Sequence, residues 1–513
     1  AIVRALAGTA GKSIVVPAGC RLLVGGPAAG GATFTLPSGT TIRCDNHDAG
    51  FVLARRACDG GTAPGAACDA DHACPGAARC VADGGLAPFA PDAAATYTLF
   101  RAAAGASDVR IVGCGIFANQ LEPFGRCVDG SGGGIPCTLE RGCPGGGTCT
   151  GAPLAPAGPG RIAVVDLAPA VDGTIESVWV RDHARGTSFA GGDRIERCRN
   201  DLRSPADPAV AAFARFALAA VEVGSGAVVR GNRLVASTHA IAAHGSFVTV
   251  SENRVGEARG LSLPDADPVT GIYLDGGQLI VTHNHVTTFN CVRGSAAASN
   301  VTVAENRCFS GAGAKVVVTG PGWSVTGNYL AWGSGAAVCV GGPRRSTTCA
   351  RNADCPAGAC AKDAPVLAIG DDGTPGWTAG GTRAGADHPV IANNILYSDA
   401  AGATLIAFAS PGVRLANGNI VGNLLLGGGA GPRVGIDLGG VGIGTSVVGW
   451  LVGSNHLQSL AIGLRFPTGE GANAVSDVHV LPNAYTRVAQ RMVGWAPRMG
   501  DADATALADR PTH

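Results

Sequence analysis

The densest run of potential chemistry in this chain is LPDADPVTGIYLDGG, Leu263–Gly277, which brings Asp265, Asp267 and Asp275 close together. Three carboxylates on one extended turn are the donor set a calcium ion takes from oxygen ligands. Next to a sugar they could equally line a cleft. Arg259 and His244 lie within about one structural repeat and are the candidate bases. The alternative is a solvated loop of Asx turns. Two further stretches invite attention. THNH places His283 and His285 on either side of Asn284, a spacing that looks metal-like but also fits ordinary turn histidines. VWVRDHARGT, Val178–Thr187, carries Arg181, Asp182, His183 and Arg185 behind an apolar strand and reads as a charged turn. No cofactor is assigned, and calcium is the one ion the pattern admits.

These residues hang on a repeat. VVRGNRL, TVSENRV, IVTHNHV, TVAENRC and SVTGNYL share the pattern apolar-x-x-Asn-x-apolar and set Asn232, Asn253, Asn284, Asn306 and Asn328 in one column. The steps are 21, 31, 22 and 22 residues, and the acidic run sits in the lengthened one. VIANNI, IVGNLL and VGSNHL extend the column to Asn393, Asn423 and Asn455. Upstream, Cys114, Val178 and Cys198 stand at the asparagine position, and downstream Val478 does. A period of about 22 residues built from short β-branched runs and Gly/Asn turns marks a solenoid, because one coil cannot bury its apolar face alone. Asparagine tolerates the left-handed backbone of a tight turn, and stacked amides can bond from coil to coil.

Three inserts interrupt the period. Cys58, Cys68, Cys74 and Cys80 recur in spacing as Cys127, Cys137, Cys143 and Cys149, and nearly so as Cys339, Cys349, Cys355 and Cys360. Each insert is too poor in apolar residues for its own core, so two internal disulfides apiece are expected, with the pairing open. With 18 cysteines and no C-x-x-C, the chain reads as disulfide-bonded rather than zinc-binding.

The repeat resembles a coil of the right-handed parallel β-helix, the pectate-lyase-like superfamily, and the inserts resemble four-cysteine repeats of secreted bacterial proteins. The resemblance implies an all-β solenoid with three disulfide-bonded loop insertions. Residues 1–45 would form the N-terminal cap and first coils. Residues 46–480 would form the helix, with inserts at 58–80, 127–149 and 339–360. Residues 481–513 would form a C-terminal cap and tail. Many members of the superfamily are polysaccharide lyases, hydrolases or epimerases, but a fold does not fix a function. The hydrolase motifs are incomplete here: GDDG at Gly370–Gly373 matches one of them, and R-I-K is absent.

Composition narrows the rest. Net charge is zero and 15% of residues are charged, with no basic stripe, so nucleic acid is excluded as a partner. No run approaches the roughly 18 uncharged apolar residues of a spanning helix. A start at Ala1 fits a mature exported chain whose leader has been removed. With 80 glycines, few aromatics and no complete catalytic set, the chain reads as a bacterial extracellular or cell-surface structural protein rather than an enzyme. Its expected partners are other copies joined head to tail into a filament, and polysaccharide. A polysaccharide lyase, or another carbohydrate-active β-helix enzyme, is the alternative.

Overall fold

A computed structural model describes residues 11–494 except for a set of connecting stretches. The longest of these are 25–33, 83–98, 118–124, 151–162, 202–220, 258–269, 371–384, 440–445, 468–473 and most of the three inserts. No helix occurs among the described residues; strands and turns account for all of them. The chain divides into two compact units, one centred on residues 1–241 and the other on 267–513 with 242–256.

Each unit is a right-handed parallel β-helix whose coils stack strands into three sheets, A, B and C, some coils placing two short strands in sheet A. In the first unit, sheet A pairs Ser13–Val16 with Thr41–Cys44, then Val109–Val112, Gly173–Glu176, Arg194–Glu196 and Val228–Arg230, all in parallel. Sheet B pairs Arg21–Val24 with Gly50–Leu53 and continues through Gly115–Phe117, Trp179–Arg181 and Arg199–Asp201 to Arg233–Ala236. The first coil is thus complete by Leu36.

The second unit repeats the scheme. Its sheet A runs Thr249–Ser251, Gly277–Thr282, Ser299–Ala304, Ser324–Thr326, Val390–Ala392, Asn419–Val421, Ser446–Gly453 and Ala474–Val480. One inward column there is Val250, Val281, Val303, Val325, Ile391, Ile420 and Val452, all buried. Sheet B adds Val255, Val286, Cys308, Leu330, Leu396, Leu425 and Leu457, also buried. Each such side chain contributes about 1.5–3 kcal/mol on burial, which is why a chain with so few aromatic residues can hold a long core. Sheet C differs in kind. Thr270–Leu274, Asn290–Gly294, Val316–Val318 and Leu367–Ile369 are buried at every residue, on both faces. Fully covered parallel strands read as near-continuous apolar runs, as VVV and LAI do here.

The turn from A to B carries the asparagines. The Asn253 amide donates to Asn284 Oδ1 at 2.9 Å, and Asn284 to Asn306 at 2.9 Å. Asn306 donates to Asn328 at 3.0 Å, Asn423 to Asn455 at 3.0 Å, and Asn455 to Asn483 at 3.0 Å. Between them the column passes through Asn394 and not Asn393: Asn328 donates to Asn394 at 2.9 Å and Asn394 to Asn423 at 3.0 Å. Asn393 is exposed, with φ 56°, one step outside the ladder. The reason lies in the next residues. Leu396 is the buried one and Ile395 is 38% exposed, so the repeat frame falls one residue later than the pattern match had put it. Val478 is likewise off the column. It lies within a sheet A strand opposite Trp450, and its coil supplies Asn483 instead.

In the first unit the column changes chemistry. Asn232 is buried and its amide donates to the Ile195 carbonyl at 3.3 Å. Val178 is buried at the equivalent turn. Cys44 and Cys114, one coil apart, close a disulfide there. A second bridge, Cys291–Cys308, links sheets C and B in the second unit. Cys198 lies outside the described residues, and Cys20 is exposed and unbridged.

The inserts form small antiparallel sheets of their own. Arg56–Asp59 pairs with Ala67–Cys68 and Arg79–Ala82, setting Cys58 opposite Cys80. Gly125–Val128 repeats the register, with Cys127 opposite Cys149. In the third insert Cys339 faces Cys360. The expected bridges within the inserts fall on side chains outside the described residues. At the other end, Ala484–Thr486 and Gln490–Val493, expected in a cap, form a further coil paired in parallel with His456–Gln458 and Ile462–Arg465.

Candidate functional site

Of the residues singled out around the acidic run, the structure brings together His244 and Asp275. Both follow a sheet C strand, on successive coils of the second unit. His244 Nδ1 lies 3.4 Å from Asp275 Oδ2, and Ser295, one coil further, donates its hydroxyl to Asp275 Oδ1 at 2.6 Å. Thr319 continues the stack by donating to the Ser295 carbonyl at 2.7 Å. Tyr273 sits beside them, its ring 6.2 Å from that of His244. Burial pushes the Tyr273 hydroxyl above its ordinary pKa and Asp275 adds to the rise, while Arg293 and a bond with Ser295 oppose it. This arrangement orients an imidazole with a carboxylate, as a general base requires. It does not assemble a nucleophile relay, because Ser295 bonds the carboxylate and not the histidine. Arg259, Asp265 and Asp267 lie outside the described residues. Among the described residues no three His, Cys, Asp or Glu side chains converge as metal ligands, and both Asp275 oxygens already have protein partners.

A second arrangement lies on the outer face of sheet B. Every ladder asparagine is followed by a residue that points outward, and parallel register stacks these positions about 4.8 Å apart. In the second unit they begin with Arg254, His285, Arg307, Tyr329, Ile395 and Leu424 and continue to His456 and Ala484. Phe309, two residues beyond Arg307, completes an aromatic ledge. Its ring is 5.0 Å from His285 and 5.5 Å from Tyr329, in tilted contacts. The ledge borders an open groove of about 800 Å³, lined also by His283, Glu305 and Ile395. His283 occupies the left-handed turn position, φ 57°, and its Nε2 pairs with Glu305 at 2.6 Å. Among the described residues, the groove's one carboxylate therefore faces an imidazole. Among the described residues no carboxylate matches Arg254 or Arg307, and both are exposed. His285, half-buried between them, has its pKa lowered by burial first and by Arg254 and Arg307 after it.

The two histidines of THNH thus belong to one groove, each with a different partner. Phe309, Tyr329, Arg254 and Arg307 were not singled out from sequence. For Arg254, Arg307 and Tyr329 the signal was present in the variable letter of Asn-x-apolar, which reads Arg, Arg, His, Arg, Tyr from Asn232 to Asn328 and alternates with a buried residue; Phe309 lies two letters beyond it.

No family model matches this chain, and no curated protein matches it. Solved structures do. One is a tailspike protein of the E. coli bacteriophage HK620 in complex with a pentasaccharide, at 11% identity over 93% of this chain and 72% of that one, TM-score 0.44. Another is PfbA, a surface adhesin of Streptococcus pneumoniae, at 11% identity over 96% and 86%, TM-score 0.40.

Proposed function

We propose that the protein is an exported, surface-exposed β-helix that binds a polysaccharide on the outer face of sheet B in its second unit and leaves it uncut. The open groove bordered by His285, Phe309 and Tyr329 carries this reading. Aromatic rings offer a sugar a flat apolar face, while arginine and histidine supply hydrogen-bond donors around the rim. A rigid parallel sheet presents these groups without ordering cost on binding. Affinity electrophoresis in gels containing soluble polysaccharides tests it. Phe309→Ala and Tyr329→Ala should each abolish the retardation of a retarded wild-type protein. Equal mobility of wild type and both variants on every polysaccharide overturns the reading.

As a surface subunit the protein is also proposed to stack head to tail with further copies. The last described coil, Ala484–Thr486 and Gln490–Val493, is half-exposed and supports that arrangement, since a strand edge is a template for another chain. Electron microscopy of native material decides it: filaments are expected, and monomers alone at high concentration overturn it.

The alternative, polysaccharide lyase action, draws on the His244–Asp275 contact. Release of unsaturated uronate, followed by ultraviolet absorbance and lost in Asp275→Asn, would establish it in place of passive binding.

A further inference from the structure

The groove on sheet B does not end at its aromatic ledge. Beyond Tyr329 the outer face of that sheet turns aliphatic, which bears on what the ligand carries besides sugar. Resting on the polysaccharide-binding reading, we infer that the glycan belongs to an amphiphile, with an acidic sugar seated at Arg307 and a single acyl or alkyl chain laid along the rungs that follow. Leu396 and Leu425 point into the core, so their neighbours Ile395, Tyr397, Leu424 and Leu426 point outward. Register sets Tyr329 beside Ile395 and Ala331 beside Tyr397 on the preceding rung. Three successive rungs therefore offer only apolar or tyrosine side chains at their outward positions. Ile395 is exposed, and Tyr397, Leu424 and Leu426 are half-buried. Different chemistry bounds the strip at each end. On the rung before Tyr329 stand Arg307 and Phe309, and on the rung after Leu424 stand His456 and Gln458. Ile395 lines the groove together with Arg307, Phe309 and Tyr329, so cation, ledge and strip are continuous.

The dimensions suit one hydrocarbon chain. From Arg307 to Leu424 is three rungs, roughly 14 Å. That is close to half the roughly 30 Å hydrocarbon thickness of a bilayer, the depth one acyl chain fills. The strip is two outward residues wide, so its footprint is on the order of 200 Å². A stable protein interface takes roughly 800 Å² per partner, so a second copy would need several times the area offered. The Arg307 end sets the polarity of the ligand. Glu305, the acidic residue of the groove, is taken up by His283 at 2.6 Å. Arg307 is exposed and, among the described residues, meets no carboxylate. A planar guanidinium takes a carboxylate in two parallel hydrogen bonds. The sugar bearing that carboxylate lies against the ledge of His285, Phe309 and Tyr329, and its chain leaves over Ile395. Each methylene withdrawn from water there adds to affinity.

Calorimetric titration of the full chain with dodecyl β-D-glucuronide, dodecyl β-D-glucoside and methyl β-D-glucuronide tests the inference, each kept below the concentration at which it forms micelles. Dodecyl glucuronide should bind about tenfold tighter than dodecyl glucoside, one charge-assisted contact's worth. It should bind at least about a hundredfold tighter than methyl glucuronide, which lacks the chain. Ile395→Thr and Leu424→Thr keep strand-favouring side chains and should each cost dodecyl glucuronide about tenfold. Arg307→Gln should erase the difference between the two dodecyl glycosides. Val390→Thr, on the outer face of sheet A, serves as the control and should change nothing. Dodecyl glucuronide binding no tighter than either of the other two, or indifferent to both Ile395→Thr and Leu424→Thr, overturns the inference and leaves the polysaccharide-binding reading standing. A dimer in sedimentation that those two substitutions dissolve does the same, since it seats a second copy on the strip. Absence of binding to all three, together with unaltered mobility on every polysaccharide gel, removes both.

Discussion

At the scale of single residues, the asparagines of the A–B turn and the residues that follow them do opposite jobs. From Asn284 to Asn455 each ladder amide is buried and bonded on both sides. Asn306, for example, donates to Asn328 and to the Val281 and Ala304 carbonyls, while its Oδ1 accepts from Asn284. Asn306→Ala strands these partners, and an unsatisfied buried polar group costs about 1–3 kcal/mol. Chemical denaturation should show that loss, against less than about 0.5 kcal/mol for Thr302→Ala on the outer face of sheet A. The residue after the ladder is where the proposed binding chemistry lies, and His285 there responds to pH. Its pKa is lowered by burial and by Arg254 and Arg307, so it is neutral at pH 7. A histidine with a lowered folded-state pKa favours the folded protein above its unfolded value of about 6.5. That contribution fades as pH falls through the range down to the folded pKa. The other titratable groups facing it are His283, paired with Glu305, and the Tyr329 hydroxyl. Between about pH 7 and a lower pH at which the fold persists, His285 gains charge between Arg254 and Arg307, and affinity for polygalacturonate should rise. His285→Asn should abolish the rise, whereas His283→Gln should keep it; titrations at the two pH values check both.

At the scale of elements, the sequence was most legible where burial alternates. In sheets A and B the apolar letters alternate with polar ones, and the asparagine column could be read directly from spacing. The column failed at VIANNI because two adjacent asparagines and two adjacent apolar residues admit two frames, and only burial of Leu396 over Ile395 separates them. Sheet C was not legible in this way, since strands covered on both faces lose the alternation. The contact between His244 and Asp275 was foreshadowed by proximity in the repeat. The part played by Ser295 and Tyr273 was not, because it depends on which residue ends each sheet C strand. The inserts keep their strands in separate antiparallel sheets, outside the parallel ladders. Excising residues 339–360 and rejoining the chain should therefore leave the far-ultraviolet β-signal and the unfolding midpoint of the helix intact. Collapse of that signal under oxidising conditions would place the third insert in the core.

At the scale of the whole molecule, each unit is a stack in which a coil contacts mainly its neighbours, so stability adds nearly coil by coil. Covalent links alter that locally. Cys44–Cys114 spans 70 residues and fixes one coil to the next at the ladder position, and closing so long a loop stabilises a chain by roughly 3–5 kcal/mol. Cys44→Ala with Cys114→Ala should lower the melting temperature of the first unit's transition and leave the second unit's transition in place; calorimetry resolves the two.

The parallel register has a mechanical side. In the second unit every backbone bond between coils points along the stacking direction, so tension applied along that direction loads the coils in series rather than in shear. Under a force probe the coils should give way singly, each freeing a length of roughly 70–80 Å for about 22 residues. The step that includes residues 258–269 should free more, since 31 residues separate Asn253 from Asn284. Such a stack behaves as a shock absorber, spending work coil by coil while its remaining coils stay wound.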